Sequence, residues 1–220
     1  MYQLHGIADW GSQVIRMALE EIGAPYQFRG LDFEAGDLTS PAYLALNPFG
    51  RLPVLETPDG ALFETGAILQ YLSEKHQALA PAVGDGERGR FLVWLTFVVN
   101  QLHPTVMTLV HPERPGGEEV SKQISSVTRR ELQRQMAALD AEVARGAWWL
   151  TAARPSIVSL YVLMLLRWAA SFAAHPEDAV RASDFPALFA LAEAMEQIPA
   201  VLRVMAAEGL SGSAFSDPQG

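Results

Sequence analysis

Apolar residues near the start of the chain alternate in two short runs and recur at helical spacing in the run between them. The stretch Tyr2 to His5 predicts a strand, and Tyr26 and Phe28 alternate in a second one. Between them, a helix is predicted to open at Ser12, because serine is a favoured N-cap. Its apolar stripe consists of Val14, Ile15, Ala18, Leu19 and Ile22. The order strand, helix, strand predicts a parallel pair with a right-handed crossover.

The stretch from Asn47 to His76 predicts two more strands and a helix. Short apolar runs on either side of the tight turn Thr57–Gly60 favour an antiparallel strand pair. The helix that follows has an apolar face formed by Ala67, Ile68, Tyr71 and Leu72. A short helix is also expected near Pro41 to Leu46, within a polar loop. The predicted order of the first domain, residues 1–77, is therefore βαβαββα.

Beyond a linker predicted at residues 78–86, strand patterns give way to long helical ones. A helix is expected from Arg88 to about His111, with a kink or a break at Pro104. A second long helix has an apolar stripe formed by Val120, Ile124, Val127, Leu132, Met136, Leu139 and Val143. These patterns predict an all-helical domain at residues 87–210.

The last third of the chain predicts a central helix, two shorter helices and a mobile end. Ser156 is a natural N-cap, and the residues after it are apolar on nearly every side, which predicts the core helix of the second domain. The two shorter helices are expected at 186–197 and 199–208. Residues 211–220 are rich in glycine, serine and proline, which predicts a flexible tail.

Composition excludes several kinds of chemistry. The 220 residues include no cysteine, so disulfides, thiolate metal sites and cysteine nucleophiles are excluded. The net charge of −9 argues against nucleic acid or an anionic membrane as a partner. The apolar run 91–110 is interrupted by amides, a histidine and a proline, which favours a buried core helix over a membrane span. No leader sequence opens the chain, so a cytoplasmic protein is expected.

Two features of the central stretch suit a small anionic ligand. Glu64 and Thr65 fall where a helix begins, so free backbone N–H groups and a hydroxyl meet there. Pro53 opens a strand, which leaves the N–H and C=O of Leu52 available to an extended, peptide-like ligand. A cis bond between Leu52 and Pro53 would aim these groups outward. The sequence leaves the isomer open, because trans is the commoner form.

The segments NPFGRLPVL and FETGAILQYL, separated by the turn, resemble the glutathione-binding half of the thioredoxin-like domain in cytosolic glutathione transferases. The resemblance is specific over residues 47–76 and looser along the rest of the chain. It implies an α/β plus all-α protein with an N-terminal thioredoxin-like domain and a C-terminal helical-bundle domain. It also implies a homodimer, in which the helices that begin at Thr65 and Arg88 meet their counterparts.

The function implied by the resemblance is that of a glutathione transferase with a role in detoxification. Glutathione is then the co-substrate, and its thiolate attacks a small hydrophobic electrophile. Two alternatives stay open: a glutathione-dependent peroxidase or disulfide reductase, and a non-catalytic glutathione-binding or interaction module. Retention on immobilised glutathione, measured together with turnover of a generic electrophile, distinguishes them.

The resemblance also assigns residues to the parts of glutathione. Glu64 and Thr65 would bind the γ-glutamyl end, by charge, hydroxyl and helix N-terminus. The backbone of Leu52, beside Pro53, would pair with the cysteinyl unit, and Arg51 would reach the glycyl carboxylate. Taken singly, Glu64 could instead stabilise the start of its helix, and Arg51 could be a solvated loop charge.

The sequence does not determine which group ionises the thiol. By resemblance, tyrosine-type members place a hydroxyl where this chain has His5, and serine-type members place one at Asp9, a carboxylate that would repel a thiolate. Ser12 is therefore the candidate catalytic residue, although an N-cap role explains it equally well. A third alternative is stabilisation of the sulfur by backbone N–H groups of Trp10, Gly11 or Ser12. Trp10 could also shield the thiol from water or simply pack.

Four residues fall at helical spacing along one face of the first long helix. They are Asn100, His103, Met107 and His111. Bacterial beta-type glutathione transferases are similar here through a Leu-His pair, which implies that His103 borders the glutathione site. A polar residue satisfied at the kink is the alternative. The substrate pocket is expected to include Trp10, Met107, His111 and Tyr161. The histidines lack carboxylate or thiolate companions, so no metal site is expected.

One departure from the family pattern concerns the central helix of the second domain. The family has serine or threonine, two further residues and then aspartate, whereas this chain has Ser156 followed by Ser159. We expect the missing aspartate to weaken the capping network at the start of this helix, with little effect on chemistry.

Overall fold

The computed structural model describes residues 1–218. The chain forms two compact units. One consists of Met1–Ala80 and Pro199–Gly209, and the other consists of Pro81–Ile198 and the segment that begins at Leu210.

The first unit has the predicted thioredoxin-like order. Its strands are β1 (Tyr2–Gly6), β2 (Tyr26–Gly30), β3 (Val54–Thr57) and β4 (Gly60–Phe63). Its helices are α1 (Ser12–Ile22), α2 (Pro41–Leu44), α3 (Thr65–His76) and, from the end of the chain, α9 (Pro199–Ala207). The strands form one sheet in the order β2-β1-β3-β4. The predicted fold class is confirmed.

The register of the sheet determines which backbone groups stay unpaired. β1 runs parallel to β2 and antiparallel to β3, and β4 runs antiparallel to β3. The pairing of β3 with β1 begins at Val54, which lies opposite His5. Residues just before Val54 therefore lie beyond the ladder, and their N–H and C=O groups are available to other partners.

Helix α9 packs on α1, whereas the sequence places residues 199–210 in the helical domain. Its apolar face is buried, and it consists of Ala200, Val201, Val204 and Met205. An ion pair joins the two helices, with 2.7 Å between Arg203 Nε and Glu20 Oε2. The amphipathic pattern predicts that α9 buries one face, but it does not say against which partner.

The second unit is helical. Its helices are α4 (Arg88–Phe97), α5 (His103–Val110), α6 (Glu118–Ala144), α7 (Ile157–Ser171) and α8 (Pro186–Met195). The expected disturbance at Pro104 takes the form of a π-helical turn, Val98–Leu102, between α4 and α5. The N–H of His103 donates to the carbonyl of Val98. This wider turn accommodates the ladder position at which proline supplies no donor.

By length and composition, Arg88–Val110 is the one stretch within residues 1–218 that could cross a membrane. The expected buried core helix is found only in part, because 28% of its most apolar window is buried. Phe91 and Leu95 are buried, whereas Leu92 and Val93 are exposed. The helix therefore has one packed face and one uncovered apolar face.

Helix α7 is the core helix of the second unit, as predicted, and nearly all of its residues are buried. Its capping network is complete, so the expected weakening by Ser159 is wrong. Ser156 Oγ accepts from the N–H groups of Val158 and Ser159, and Ser159 Oγ accepts from the N–H of Ser156 at 2.8 Å. A serine hydroxyl at the third helical position therefore replaces the carboxylate of a capping box.

The predicted flexible tail is packed at residues 214–216, whereas residues 211–213 are exposed; the last two residues lie outside the described residues. Phe215 is fully buried. The Glu196 carboxylate, itself buried, accepts from the N–H groups of Phe215 and Ser216 and from the Ser216 hydroxyl. A glycine- and serine-rich composition predicts mobility only where no long-range partner holds the segment.

We expect Phe215→Ala to lower the free energy of unfolding by about 3–5 kcal/mol, because it removes a fully buried aromatic ring. The exposed neighbour Ser213→Ala is the control, with an expected change below about 0.5 kcal/mol. Urea denaturation followed by circular dichroism measures both. A loss below about 1 kcal/mol for Phe215→Ala would mean that this segment is not packed in solution.

Candidate functional site

A buried asparagine shapes the loop that leads into β3. The Asn47 side chain donates to the carbonyl of Arg51 at 2.8 Å and accepts from the N–H of Phe49 at 3.0 Å. The hydroxyl of Tyr43 donates to the same Arg51 carbonyl at 2.8 Å. Gly50 has φ +58°, and a Cβ there would lie 2.9 Å from the Leu38 carbonyl oxygen. Asn47 and Gly50 thus fix the backbone before Leu52. Both residues belong to the NPFGRLPVL segment, but the sequence alone does not reveal this role.

The peptide bond between Leu52 and Pro53 is cis, the isomer that the sequence left open. Leu52 is half-buried and Pro53 is buried. Among the described residues, no partner is recorded for the N–H or the C=O of Leu52. The expected free pair of backbone groups before β3 is therefore present.

Glu64 and Thr65 lie where α3 begins, as predicted. Glu64 is exposed, has φ +71° and makes no side-chain capping bond. Thr65 is the first helical residue and is largely buried. Within residues 1–218, the Glu64 carboxylate and the Thr65 hydroxyl have no recorded hydrogen-bond partner. Three N–H groups of the first turn, at residues 65–67, are likewise unclaimed.

Gly11 shows that three parts of the first unit meet at one place. A Cβ on Gly11 would lie 3.5 Å from Pro53 Cδ, 3.7 Å from the Leu52 carbonyl oxygen and 3.9 Å from Thr65 Oγ1. Gly11 is the residue before α1. The N-terminus of α1, the proline-led end of β3 and the N-terminus of α3 are therefore neighbours. Two helix N-termini and one unpaired peptide group form the candidate site.

Two side chains border this site with different chemistry. Arg51 is exposed and has no recorded ion-pair partner among residues 1–218. Trp10 is 40% exposed, and its ring packs against Phe33 with 5.4 Å between ring centroids. Phe33 is 56% exposed. Phe33 was not predicted from the sequence, where its only signal is an aromatic residue in a largely polar loop.

The hydroxyl of Ser12 faces the protein interior. Ser12 is fully buried, and its Oγ donates to the carbonyl of Ile7 at 2.9 Å. A Cβ on Gly6 would lie 2.2 Å from this oxygen, so only glycine permits the packing of Ser12 under β1. Gly11 is the N-cap of α1, and it has no side chain to cap the helix. The structure therefore gives the Ser12 hydroxyl a structural partner, and its catalytic role stays a prediction.

His5 and Asp9, the two other positions considered for the activating group, also have hydrogen-bond partners within the first unit. His5 is buried, and its Nε2 shares a hydrogen bond of 2.6 Å with Glu56 Oε1. Gln3 donates to the same carboxylate oxygen. The backbone N–H of Asp9 donates to Glu208 at 2.9 Å. In the part of the chain that the structure describes, no partner is recorded for the backbone N–H groups of Gly11 and Ser12.

A carboxylate from the other end of the chain holds the start of α1. Glu208 follows α9, and burial raises the pKa of its carboxyl. It accepts from the Asp9 N–H, from the Gln13 side chain at 2.8 Å and from Arg16 at 3.1 Å. Glu208 was not predicted from the sequence, because a glutamate at the end of a helix has no local feature that reveals a distant partner.

The second unit contains the remaining predicted site residues. His103 Nδ1 and the Tyr161 hydroxyl share a hydrogen bond of 2.6 Å, and the His103 ring also packs against Trp168. Burial lowers the pKa of His103 to about 4, so this imidazole is neutral at physiological pH. His111 lies near Glu113, and burial lowers its pKa as well. Met107, one turn before His111, is half-buried. The structure thus joins His103 to Tyr161.

Within residues 1–218, no group of three or more histidine, aspartate or glutamate side chains is placed to hold a metal ion. The candidate site instead offers N–H donors, one free carboxylate and one free guanidinium. Such a set suits an organic ion that has both an ammonium group and carboxylates.

Comparison with known proteins gives a consistent result. The family model of the glutathione S-transferase N-terminal domain matches residues 1–74. Glutathione S-transferase GstA of Escherichia coli O157:H7 is 31% identical over 172 residues, which cover 76% of this chain and 79% of that protein. A glutathione transferase of Methylococcus capsulatus str. Bath superposes with a TM-score of 0.77 at 28% identity and covers 95% of this chain and 99% of its own.

A further structural relative is a sphingomonad glutathione S-transferase solved in complex with glutathione. It has a TM-score of 0.76 and 29% identity, and the match covers 95% of this chain and all of that one. The similarity therefore extends over both units, well beyond the N-terminal domain. The chain belongs to the glutathione S-transferase family.

Proposed function

We propose that this protein binds glutathione beside Gly11 and joins it, through its thiolate, to a small hydrophobic electrophile. The observation that carries the proposal is the meeting of the two helix N-termini with the unpaired backbone of Leu52. Relatives are named glutathione S-transferases, and the sphingomonad structure contains glutathione. A tripeptide with charges at both ends fits a site with peptide-pairing groups between two charged side chains.

The γ-glutamyl end of glutathione is assigned to the start of α3. The exposed Glu64 carboxylate would pair with the ammonium group, and the Thr65 hydroxyl with the helix N–H groups would bind the carboxylate. Glu64 holds φ +71°, a conformation that costs a non-glycine residue about 1–3 kcal/mol. A side chain kept at such a position fits a binding role better than a structural one.

The middle and the far end of glutathione are assigned to the loop before β3. The N–H and C=O of Leu52 would pair with the cysteinyl unit as those of a neighbouring strand would. The pairing of β3 with β1 begins only at Val54, after Pro53, so the sheet does not use these two groups. Arg51, exposed and unpaired among the described residues, would reach the glycyl carboxylate. The two hydrogen bonds of the Asn47 side chain fix the direction of this backbone before glutathione binds.

For the thiol, the geometry favours the backbone over the Ser12 hydroxyl. Ser12 is fully buried, so its groups are closed to a ligand, whereas the N–H of Gly11 has no recorded partner within residues 1–218 and lies at the N-terminus of α1, where the helix dipole stabilises an anion. A thiolate held there would attack the electrophile, form the carbon–sulfur bond and expel the leaving group, while the thiol proton passes to solvent.

The acceptor side is assigned to the exposed aromatic pair Trp10 and Phe33. Such rings offer an apolar face to a hydrophobic electrophile and exclude water from the sulfur. Residues of the second unit were also predicted to contribute, and this stays a prediction. They are His103 for glutathione, and Met107, His111 and Tyr161 for the electrophile.

A homodimer is part of the proposal. Leu92 and Val93 of α4 are exposed and border an open apolar groove, whose other lining residues are Gly89, Trp94, Thr96, Phe97 and Gln101. An uncovered apolar helix face of this kind is typical of an interface. The cytoplasmic location expected from the sequence stays a prediction.

The direct test is retention on immobilised glutathione together with conjugation of a generic aromatic electrophile. Retention with turnover supports the transferase. Retention without turnover would favour a non-catalytic glutathione-binding module, and turnover only with peroxides or disulfides would favour the peroxidase or reductase. Neither retention nor turnover would overturn the proposed function.

We expect Glu64→Gly to weaken glutathione binding by about tenfold to a hundredfold, because a charge-assisted hydrogen bond is lost. The same change should leave the free energy of unfolding unchanged or higher, since glycine accepts φ +71° without strain. Calorimetric titration and urea denaturation measure the two effects. Glu74→Ala, at the far end of α3, is the control, and unchanged affinity in Glu64→Gly would show that the assignment is wrong.

Ser12→Ala is expected to keep kcat within about threefold of the wild type, with the pH–rate profile of the thiol unchanged. The reason is that the hydroxyl donates to Ile7 and is fully buried. The variant should lose about 1 kcal/mol of stability with that hydrogen bond. A hundredfold loss of kcat, with the thiol pKa shifted upward, would instead restore the hydroxyl as the activator.

We expect Val93→Asp to convert the dimer into a monomer, because a carboxylate on the uncovered face of α4 would have to lose its water at the interface. Light scattering after size-exclusion chromatography measures the mass. Leu202→Asp, an equivalent change at an exposed position of α9, is the control. A wild-type protein that is already monomeric at micromolar concentration would contradict the proposed dimer.

A further inference from the structure

We infer that Glu208 is a positioning residue for the thiol end of the site, acting through the loop that joins β1 to α1. The inference rests on the proposed function, because it concerns where the thiol of glutathione would lie. Glu208 lies 195 residues beyond Gln13 in the chain. Its side chain is fully buried.

The Glu208 carboxylate is surrounded by donors. Oε2 accepts from the Asp9 N–H at 2.9 Å and from Gln13 Nε2 at 2.8 Å, and Oε1 accepts from Arg16 Nη1 at 3.1 Å. A carboxylate can accept all three bonds because it offers two oxygens and no proton. The charge of Arg16, itself largely buried, compensates the negative charge of Glu208.

The loop needs this support. Asp9 has φ +63°, a conformation that is costly for a residue with a side chain. Trp10 and Gly11 follow directly, so the direction of the Asp9 peptide also sets the exposed Trp10 ring and the N–H of Gly11, for which no partner is recorded among residues 1–218. Apart from the Glu208 bond, the loop is closed by hydrogen bonds of its own: Trp10 N–H and Ser12 Oγ both donate to the Ile7 carbonyl.

Glu208 can serve as an anchor because its own backbone is fixed. Its N–H donates to the Val204 carbonyl at 2.9 Å, so it continues the last turn of α9. Helix α9 in turn packs on α1 through buried apolar residues. The packed helix α9 therefore holds the Glu208 carboxylate in place beside the loop.

The experiment compares Glu208→Gln with Glu20→Gln in the full-length protein. Both changes replace a carboxylate by an amide between the same two helices, but Glu20 binds Arg203 and Tyr26 at the far end of α1. In Glu208→Gln, the new NH₂ group would face donors and leave at least one of them unpaired. Hydrogen exchange of residues 7–13, the dissociation constant of glutathione and kcat are measured for both variants.

For Glu208→Gln we expect exchange in residues 7–13 at least about tenfold faster, and kcat lower by about tenfold to a hundredfold. The dissociation constant of glutathione should stay within about twofold, since Glu64, Thr65 and Leu52 are untouched. Glu20→Gln should alter none of the three quantities. A merely structural role for Glu208 would lower thermal stability without changing kcat per folded molecule.

Gln13→Met is the second variant and covers the case in which Glu208→Gln fails to fold. It removes an amide that donates to Glu208 Oε2 at 2.8 Å and to Asp9 Oδ1 at 3.4 Å and whose oxygen has no partner among the described residues, and it should lower kcat in the same direction by a smaller factor. Unchanged exchange and unchanged kcat in a variant that binds glutathione would overturn the inference. A wild-type protein that binds no glutathione would instead overturn the proposed function.

Discussion

The candidate site depends on where the sheet stops pairing. Because the ladder between β1 and β3 begins at Val54, the peptide groups of Leu52 lie outside it and stay unclaimed. Pro53 is buried at this boundary and donates nothing. Two helices begin beside the same edge, with Gly11 next to Pro53, Leu52 and Thr65. The protein thereby concentrates unsatisfied backbone groups at one place on its surface, which is the condition for binding a peptide-like anion.

Close packing around the start of α1 also determines which groups remain free to act on a bound thiol. Ser12 packs so tightly against Gly6 that its hydroxyl is used inside the fold, and His5 is engaged by Glu56. The absence of cysteine excludes a thiol side chain. What stays available at the start of α1 is the backbone, whose position depends on the conformation of a short loop and therefore on the distant carboxylate of Glu208.

In the second unit, polar contacts at the ends of helices support the packing of the core. A π-helical turn accommodates Pro104, a serine pair caps α7, and the Glu196 carboxylate holds the segment around Phe215. Each device satisfies backbone groups that would otherwise be buried without partners. The exposed apolar face of α4 is the exception, since the described residues leave it uncovered.

The sequence by itself determined the order of the strands and helices, the motif at residues 47–65 and the exclusion of cysteine chemistry, because these depend on local backbone preferences and on composition. The tertiary structure alone decided that Ser12 turns inward, that Trp10 meets Phe33, that α9 joins the first unit and that Phe215 is buried. Those outcomes depend on contacts between residues far apart in the chain. Local patterns carry no information about such partners, since the same amphipathic helix or polar segment can pack against many surfaces.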